Sequence, residues 1–315
     1  MKEISMNNPL VSVAVITYNS AKTVIETLES IKAQTYRNIE LIISDDCSTD
    51  NTVELCHRWT EQNKDSFVRT EILTTEKNTG VTCNENRAWN AAQSDFLKPI
   101  AGDDILLPEC IKDNMAYMQK HPNAVLVFSK PQVIGLFSKK AKLYEAGFDY
   151  SFFEMSSKEQ YERIKYSNCI PSCTMFLNLK KIREIGLFLD ERIPMMEDRV
   201  LFINATLLNV PFDFFAKYTV KYRVRENSLA NASLAHPLYY KSRRLYYFYY
   251  IFLPEYDKDK SKAIENFADN EMEEYNYYYR KILQYGDFSN TIVYKLWKYC
   301  HNPRLIIRRV QKLFS

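Results

Sequence analysis

The strongest constraint on the fold of this chain is the alternation of apolar runs with amphipathic stretches in its first hundred residues. Residues 10–16 (LVSVAVI) form a nearly continuous β-favouring run that is apolar on both faces, and residues 39–43 (IELII) form another. A strand without a polar face is typical of a parallel sheet that helices cover on both sides. Between the two runs, Val24, Leu28 and Ile31 recur at helical spacing. The pattern therefore predicts an open, doubly wound α/β domain.

The alternation continues along the chain. After residue 43 we expect helices through Val53–Trp59 and over 81–92, 111–120, 179–185 and 201–208, with strands over 67–73, 96–100, 124–128, 169–176 and 220–225. Residues 135–165 are poorly patterned and predict a loop over a site. In folds of this class, ligands bind beyond the carboxyl ends of the strands.

Length and composition limit the choice of function. The 315 residues are enough for one large domain with an extension, and we place the boundary so that residues 1–232 form the binding and catalytic domain and residues 233–315 a helical, aromatic and basic extension. The net charge of +3 is too small to indicate a nucleic-acid partner. No signal peptide, apolar run of about 18 residues or paired Cys-x-x-Cys array occurs, which predicts a cytoplasmic protein.

Two adjacent carboxylates, Asp103 and Asp104, follow Gly102 at the end of the apolar-rich run 94–101. Burying one ionised carboxylate is costly, and two would repel each other. A divalent cation, Mg²⁺ or Mn²⁺, would explain the pair, because such hard ions take carboxylate oxygens together with the phosphates of a ligand. The alternative is that the pair forms a turn or caps the next helix.

Polar residues also follow the first two predicted strands. Thr17, Tyr18 and Asn19 end the first, and Asp45 and Asp46 end the second. One of the two carboxylates could accept the ring N–H of uracil or thymine. Alternatively, both fix the turn through local backbone amides.

The sequence contains no glycine-rich phosphate loop, since it has only six glycines and neither of the usual glycine motifs. The diphosphate of a bound nucleotide would therefore need a metal ion or cationic side chains, and Arg223 and Arg225 are candidates. Glu197 and Asp198 open a helical stretch. Their functional interpretation is a general base that takes a proton from an acceptor hydroxyl, and the alternative is a helix cap.

Taken together, these segments resemble the family 2 glycosyltransferases with the GT-A fold. The resemblance rests on residues 11–20, 30–36, 43–52, 78–86, 101–108, 185–190 and 196–198 and covers about residues 9–228. It implies a mostly parallel open sheet with flanking helices, followed by the helical extension. It also implies inverting transfer of a sugar from a nucleotide donor, most often UDP-linked, to a hydroxyl.

The resemblance assigns roles position by position. It implies that Thr17 and Asp46 contact the nucleobase with support from Tyr18, Asn19 and Asp45, and that Asn86 belongs to the nucleotide site. It further implies that Asp103 reaches ribose or metal-bound water and that Asp104 ligates Mn²⁺ or Mg²⁺. Asp198 would be the general base, with Glu197 beside it. Two positions depart from the family pattern. Ala101 stands where the family often has Asp, and Glu85 stands before Asn86 where Arg is common.

The carboxyl-terminal segment is basic, with no acidic residue after Asp287. Ile306, Val310 and Leu313 share one face of a predicted helix. Such a helix can lie on an anionic membrane surface, on the inner face of the cell membrane, or can pack on the domain. The membrane alternative suits a lipid-linked saccharide acceptor, as in surface-polysaccharide assembly. A competing interpretation is a non-catalytic nucleotide-sugar or membrane-binding module with the same fold.

Overall fold

The computed structural model describes residues 8–135, 147–166, 169–224 and 237–255. The chain divides into two compact units, Met1–Glu226 and Asn227–Ser315. The boundary predicted at residue 232 stays a prediction. Arg225 and the basic helix predicted around residues 304–314 lie outside the described residues.

The first unit is built on one sheet of eight strands among the residues described. In chain order these are β1 (Val11–Thr17), β2 (Ile39–Asp45), β3 (Arg69–Leu73), β4 (Phe96–Ala101), β5 (Ile105–Leu106), β6 (Leu126–Ile134), β7 (Phe176–Asn178) and β8 (Phe212–Arg223). Their spatial order is β3-β2-β1-β4-β7-β6-β8-β5.

One half of the sheet is parallel, as the runs that are apolar on both faces predicted. Strands β3, β2, β1 and β4 are parallel neighbours, and every residue of β2 is buried. The register pairs Thr17 with Asp45 and Ile16 with Ala101. The carboxyl ends of β2, β1 and β4 therefore lie side by side at one edge of the sheet.

The other half of the sheet is mixed, but β6 and β8 are parallel, so four of the seven strand pairings among the described residues are parallel, as the predicted mostly parallel sheet requires. Strand β7 is antiparallel to both β4 and β6, and β5 is antiparallel to β8. The strand predicted over 169–176 is instead a 3₁₀ turn at Ser172–Thr174 followed by β7. The Thr174 hydroxyl lies 2.8 Å from the Pro171 carbonyl oxygen, and this local bond favours a turn over an extended strand.

The helices cover the sheet. Those described are α1 (Val24–Lys32), α2 (Thr52–Asn63), α3 (Val81–Ala91), α4 (Cys110–Lys120), α5 (Ser157–Tyr166), α6 (Leu179–Glu184) and α7 (Glu197–Leu207) in the first unit. Apolar residues of α1, α2 and α4, such as Leu28, Trp59 and Met115, form a core with the buried side chains of β1 and β2.

Two local predictions failed for identifiable reasons. The loop predicted over 135–165 contains a 3₁₀ helix at Tyr150–Glu154 and helix α5. Ser156 and Glu159 form a reciprocal capping box at the start of α5, a short sequence signal that the weak periodicity hid. The alternative that Asp104 caps a helix is also wrong, because β5 follows it and α4 begins at Cys110.

The described part of the second unit is helical, as expected. It consists of α8 (Pro237–Tyr246), a π-helical stretch at Tyr247–Phe252 and α9 (Leu253–Glu255). The rings of Tyr246 and Tyr250 stack with centroids 5.8 Å apart, so part of the tyrosine cluster packs on itself. Over the described ranges, no helix combines the length and apolar character needed to cross a bilayer.

Candidate active site

Thr17 joins the ends of the two central strands. Its hydroxyl donates to the Asp45 carboxylate at 2.7 Å, and its carbonyl oxygen accepts the backbone N–H of Asp46 at 3.0 Å. The same carbonyl accepts the side-chain amide of Asn84 on α3 at 3.2 Å. Thr17 therefore connects the ends of β1 and β2 with α3, and its hydroxyl is already hydrogen-bonded.

Asp45 and Asn19 organise the loop after β2. The Asp45 carboxylate accepts from the Ser48 backbone and hydroxyl at 2.7 and 2.6 Å, and the Asn19 side-chain oxygen accepts the Thr49 N–H at 2.8 Å. Asn19 adopts a left-handed φ of 50°, which asparagine tolerates better than most residues. The neighbouring Tyr18 is 50% exposed, so its ring faces solvent at the strand end. Asp45 and Asn19 thus support a surface on which Tyr18 is accessible.

Asp46 is almost fully buried, at 3% exposure, and binds the turn before α3. Its carboxylate accepts from the Thr79 hydroxyl at 2.6 Å and from the Gly80 N–H at 2.8 Å. Arg87 on α3 lies 3.5 Å away as an ion-pair partner. Because both carboxylate oxygens already accept hydrogen bonds, contact with the N–H of a base would require one of these bonds to be exchanged.

The amino-terminal half of α3 also anchors the segment that precedes α7. The Thr82 N–H donates to the Pro194 carbonyl at 3.3 Å, and the Asn86 side chain donates to the Leu189 carbonyl at 3.1 Å. Gly80 has φ 90° and ψ 162°, and a Cβ atom built there would lie 2.8 Å from the Pro194 oxygen. Asn86 thus contacts residues 189–191, next to the groups predicted to bind nucleotide.

Glu197 and Asp198 form the first turn of α7, behind a strained residue. Met196 adopts φ 93°, and its N–H donates to the Glu197 carboxylate at 3.0 Å. A left-handed conformation at a non-glycine residue costs roughly 1–3 kcal/mol and is concentrated at functional sites. Burial, and next the charge of Asp198, raise the pKa of Glu197 to about 7.

Glu85 adds a third carboxyl group that the sequence analysis noted only as a departure from the family. It lies on α3, is 9% exposed, and is close enough to Glu197 and Asp198 for their charges to act on it. Burial, followed by these two charges, raises the pKa of Glu85 well above its ordinary value. An acidic residue on the buried face of a predicted helix was the signal available in the sequence.

Lys98 is a second residue that the sequence analysis missed. It lies in the middle of β4, is fully buried, and its ammonium group donates to the carbonyls of Cys173 and Met175 at 2.7 and 3.1 Å. Burial lowers the pKa of Lys98, while the charges of Asp104 and Glu85 act in the opposite direction. A lysine within an otherwise apolar run was the sequence signal.

Asp103 and Asp104 follow β4 and are held by Arg223 at the end of β8. The Arg223 N–H donates to the Asp104 carboxylate at 2.8 Å, and its Nε donates to the Asp103 carbonyl at 2.8 Å. The guanidinium group also pairs with Glu26. Arg223 therefore fixes the acidic turn, and its charge is already partnered.

The acidic turn could supply part of the ligand set of a divalent cation. Asp104 is 3% exposed, and burial, followed by the charge of Asp103, raises its pKa to about 8. A cation would compensate this unfavourable negative charge with the oxygen ligands that Mg²⁺ and Mn²⁺ prefer. Within the described residues, no group of three His, Cys, Asp or Glu side chains forms a metal site. The remaining ligands would have to come from the substrate or from water.

These contacts bring the predicted residues to one edge of the sheet. Asn84 connects α3 to Thr17, and Glu85 on the same helix lies near Asp198. Lys98 lies within electrostatic range of both Glu85 and Asp104. This edge of the sheet thus carries the exposed ring of Tyr18 and the acidic turn, and the carboxyl groups of Glu197 and Asp198 lie within electrostatic range of Glu85.

The chain is similar in sequence to known proteins. The sequence model described as "Glycosyl transferase family 2" matches residues 12–184. EpsE of Bacillus subtilis is 31% identical over 115 residues, a match that covers 36% of this chain and 40% of that relative. The poly(ribitol-phosphate) β-N-acetylglucosaminyltransferase TarS of Staphylococcus aureus is 26% identical over 219 residues, covering 67% of this chain and 35% of that protein. The chain thus spans less than half the length of these two sequence relatives.

Solved structures share the fold. The structure of residues 1–349 of TarS in complex with UDP-GlcNAc has a TM-score of 0.61 at 20% identity and covers 90% of this chain and 76% of that one. The mannosyltransferase PcManGT of Pyrobaculum calidifontis, in complex with GDP-Man and Mn²⁺, has a TM-score of 0.54 at 15% identity, with 70% and 58% covered. The fold is therefore of the GT-A type, as the sequence analysis expected.

The contact between Gly80 and Pro194 yields a stability prediction. We expect Gly80→Ala to lower the free energy of unfolding by about 3 kcal/mol, because the backbone region is nearly restricted to glycine and the new Cβ would meet Pro194. Gly186→Ala is the matched control, since Gly186 has φ 67° with nothing within 4 Å of a Cβ atom. It should cost only about 1–2 kcal/mol, the left-handed penalty alone. Equal losses in urea denaturation would contradict this role of Gly80.

The raised pKa of Glu197 predicts a pH dependence of stability. Folded Glu197 keeps a proton that the unfolded carboxyl group releases near pH 4.5, so its contribution is lost as the pH rises through about 7. Glu197→Gln should therefore gain stability relative to the wild type between pH 5 and pH 8, measured by urea denaturation with EDTA present. The exposed Glu61→Gln is the control and should show no such gain. A pH-independent difference for Glu197→Gln would contradict the prediction.

Proposed function

This chain belongs to glycosyl transferase family 2, and we propose that it transfers a sugar from a UDP-linked donor to a hydroxyl group of a saccharide or lipid-linked saccharide. The observation that carries the proposal is that Tyr18 and Asp104 follow the neighbouring parallel strands β1 and β4, while Lys98 is within electrostatic range of Asp104 and of Glu85, and Glu85 is within that range of Asp198. The UDP-GlcNAc bound to TarS, which has the same fold, supports a UDP donor.

Nucleotide recognition is assigned to the ends of β1 and β2. Tyr18 offers an exposed ring on which a base can stack. Thr17, Asn19 and Asp45 hold this surface in place, because Thr17 bonds to Asp45 while Asp45 and Asn19 accept from Ser48 and Thr49 of the following loop. Asp46 holds the Thr79–Gly80 turn and Arg87 beside it, so binding of a base N–H to Asp46 would be coupled to that turn.

Asp103 and Asp104 would hold the Mn²⁺ or Mg²⁺ ion. Such an ion, when bound, supplies positive charge that stabilises the departing nucleoside diphosphate. Lys98 is close enough to Asp104 for its charge to act there, and Arg223 keeps the turn in place through Asp104 and the Asp103 carbonyl. The Mn²⁺ ion in the PcManGT structure supports a metal in a site of this fold.

Asp198 is the proposed general base. It would accept the proton of the acceptor hydroxyl as the oxygen attacks the anomeric carbon, on the face opposite the leaving diphosphate. A single displacement of this kind inverts the anomeric configuration. Glu197 beside it would contact the acceptor. The helix start at Met196 fixes both carboxylates, because the segment before it is tied to α3 through Pro194 and Leu189.

The acceptor is proposed at the level of its chemical class. A hydroxyl-rich polymer is the acceptor named for TarS, a poly(ribitol-phosphate) transferase, which supports a role in the assembly of polysaccharide or glycolipid. The basic carboxyl-terminal segment would bring the enzyme to an anionic membrane surface that carries a lipid-linked saccharide.

Two substitutions test the catalytic assignment. With UDP-GlcNAc as the donor, Asp104→Ala should abolish the Mn²⁺- or Mg²⁺-dependent release of UDP. Asp198→Asn should reduce turnover by at least about 100-fold, the lower range of general-base catalysis, while leaving UDP affinity unchanged. UDP release with a coupled assay and UDP affinity by calorimetry are the measurements. Asp65→Asn, at an exposed aspartate of the 3₁₀ turn after α2, is the control and should be neutral.

The outcome also separates the competing function. If Asp198→Asn kept full activity in cells while removal of the basic segment abolished it, a non-catalytic binding module would replace the enzyme proposal. Release of UDP that is unaffected by EDTA would remove the metal from the proposal and leave the transfer intact.

Inversion has its own test. The anomeric configuration of the product, followed by NMR from the first turnover, should be opposite to that of the α-linked donor, because one displacement with Asp198 as base inverts the carbon. A product of the same configuration as the donor would contradict the single displacement.

A further inference from the structure

Glu85 is the buried titratable group that the proposed mechanism leaves without a role. The residue is 9% exposed in the middle of α3, and no described residue forms a hydrogen bond with its carboxyl group. Its oxygens are not among the described side-chain atoms that are both fully buried and without a hydrogen-bond partner, so the carboxyl group of this largely buried residue stays open to a ligand. Its neighbours disfavour a negative charge on this group, since Glu197 and Asp198 are acidic and Lys98 directs its ammonium group to backbone carbonyls.

The position of Glu85 indicates what could partner it. Its neighbours on α3 fix its place, because Asn84 bonds to Thr17 at the end of β1 and Asn86 bonds to Leu189 in the segment before α7. Glu197, the proposed base Asp198 and Lys98 are close enough for their charges to act on Glu85, and Lys98 is also within electrostatic range of Asp104. In a glycosyl transfer, the sugar occupies the space between the leaving diphosphate and the base, because its anomeric carbon bonds to one and faces the other. Glu85 therefore borders the space for the transferred sugar.

We infer that the Glu85 carboxyl group binds a hydroxyl of the donor's transferred sugar and thereby contributes to sugar specificity. This inference rests on the proposed function. A sugar hydroxyl both donates and accepts hydrogen bonds, so it can satisfy a carboxyl group in either protonation state. The raised pKa of Glu85 favours the neutral form, in which the group offers an O–H donor and a carbonyl acceptor to the sugar.

A cation is the other occupant that a cluster of carboxyl groups suggests. Among the described side chains, Glu85, Glu197 and Asp198 do not form a group that could hold a metal ion. Lys98 is also close enough to Glu85 for its charge to act there, which opposes the binding of a cation. A neutral hydroxyl ligand avoids this repulsion.

The test compares nucleotide sugars with the corresponding free nucleotides. Calorimetric affinities of the full chain, with Mn²⁺ present, would be measured for UDP, UDP-GlcNAc, UDP-glucose, GDP and GDP-mannose. In Glu85→Leu, the affinity for the nucleotide sugar that the wild type binds should fall about ten-fold, the effect of one hydrogen bond, while the affinity for the free nucleotide stays within two-fold. Glu85→Gln should keep most of the sugar affinity, because an amide retains a donor and an acceptor.

Controls and contrary outcomes are defined by the same measurement. Glu61→Leu and Glu61→Gln make the same changes at an exposed glutamate of α2 and should leave all affinities unchanged.

Parallel losses of affinity for nucleotide and nucleotide sugar would show that Glu85 is structural and overturn the inference, as would an unchanged sugar affinity in Glu85→Leu. If Glu85→Leu does not fold, the inference still requires Glu85→Gln to keep the sugar affinity within about three-fold, and a larger loss overturns it. Failure of the wild type to bind any of the nucleotide sugars would instead contradict the proposed function, and the inference with it.

Discussion

The parallel register of β2, β1 and β4 is the constraint on which the site depends. Parallel neighbours end at the same edge of a sheet, so three loops that are distant in sequence begin side by side. Thr17 then bonds to Asp45, the residue paired with it in register, and the Gly102 N–H bonds to the Ile16 carbonyl at 2.9 Å. The loops are thereby tied to one another at their first residues, before any ligand is present. A slip of register by one residue would turn these side chains to the other face.

The site concentrates buried negative charge and compensates only part of it. Asp46 has Arg87 and several N–H donors, whereas Asp104 and Glu85 are both within electrostatic range of Lys98 and only Asp104 also accepts the Arg223 N–H. The pKa values of Asp104 and Glu85 are consequently raised by burial and by their acidic neighbours. Burying these carboxyl groups is unfavourable without ligands, and ligands that supply positive charge or hydrogen bonds would compensate the cost. For Asp104 the proposed complement is a cation with a diphosphate, and for Glu85 it is a sugar hydroxyl.

Helix α3 connects the two chemical halves of the site. Its start is held by Asp46 through Gly80, and its side chains reach Thr17 through Asn84 and the segment before α7 through Asn86. The same helix carries Glu85 into the space beside Asp198. The strained Met196 sits where this connection ends, at the start of α7.

The sequence by itself determined the parallel half of the sheet, because strands buried on both faces leave two-sided apolar runs such as residues 10–16. It also determined the family and placed polar groups at the strand ends, since strand ends can be read from local pattern. It missed α5 and the antiparallel strand β7, whose signals are short. Only the tertiary structure decided that Arg223 holds the acidic turn and that Lys98 comes within electrostatic range of both Glu85 and Asp104. Arg223 and the acidic turn are far apart along the chain, and burial and charge arise from the packing of whole elements, which no local pattern records.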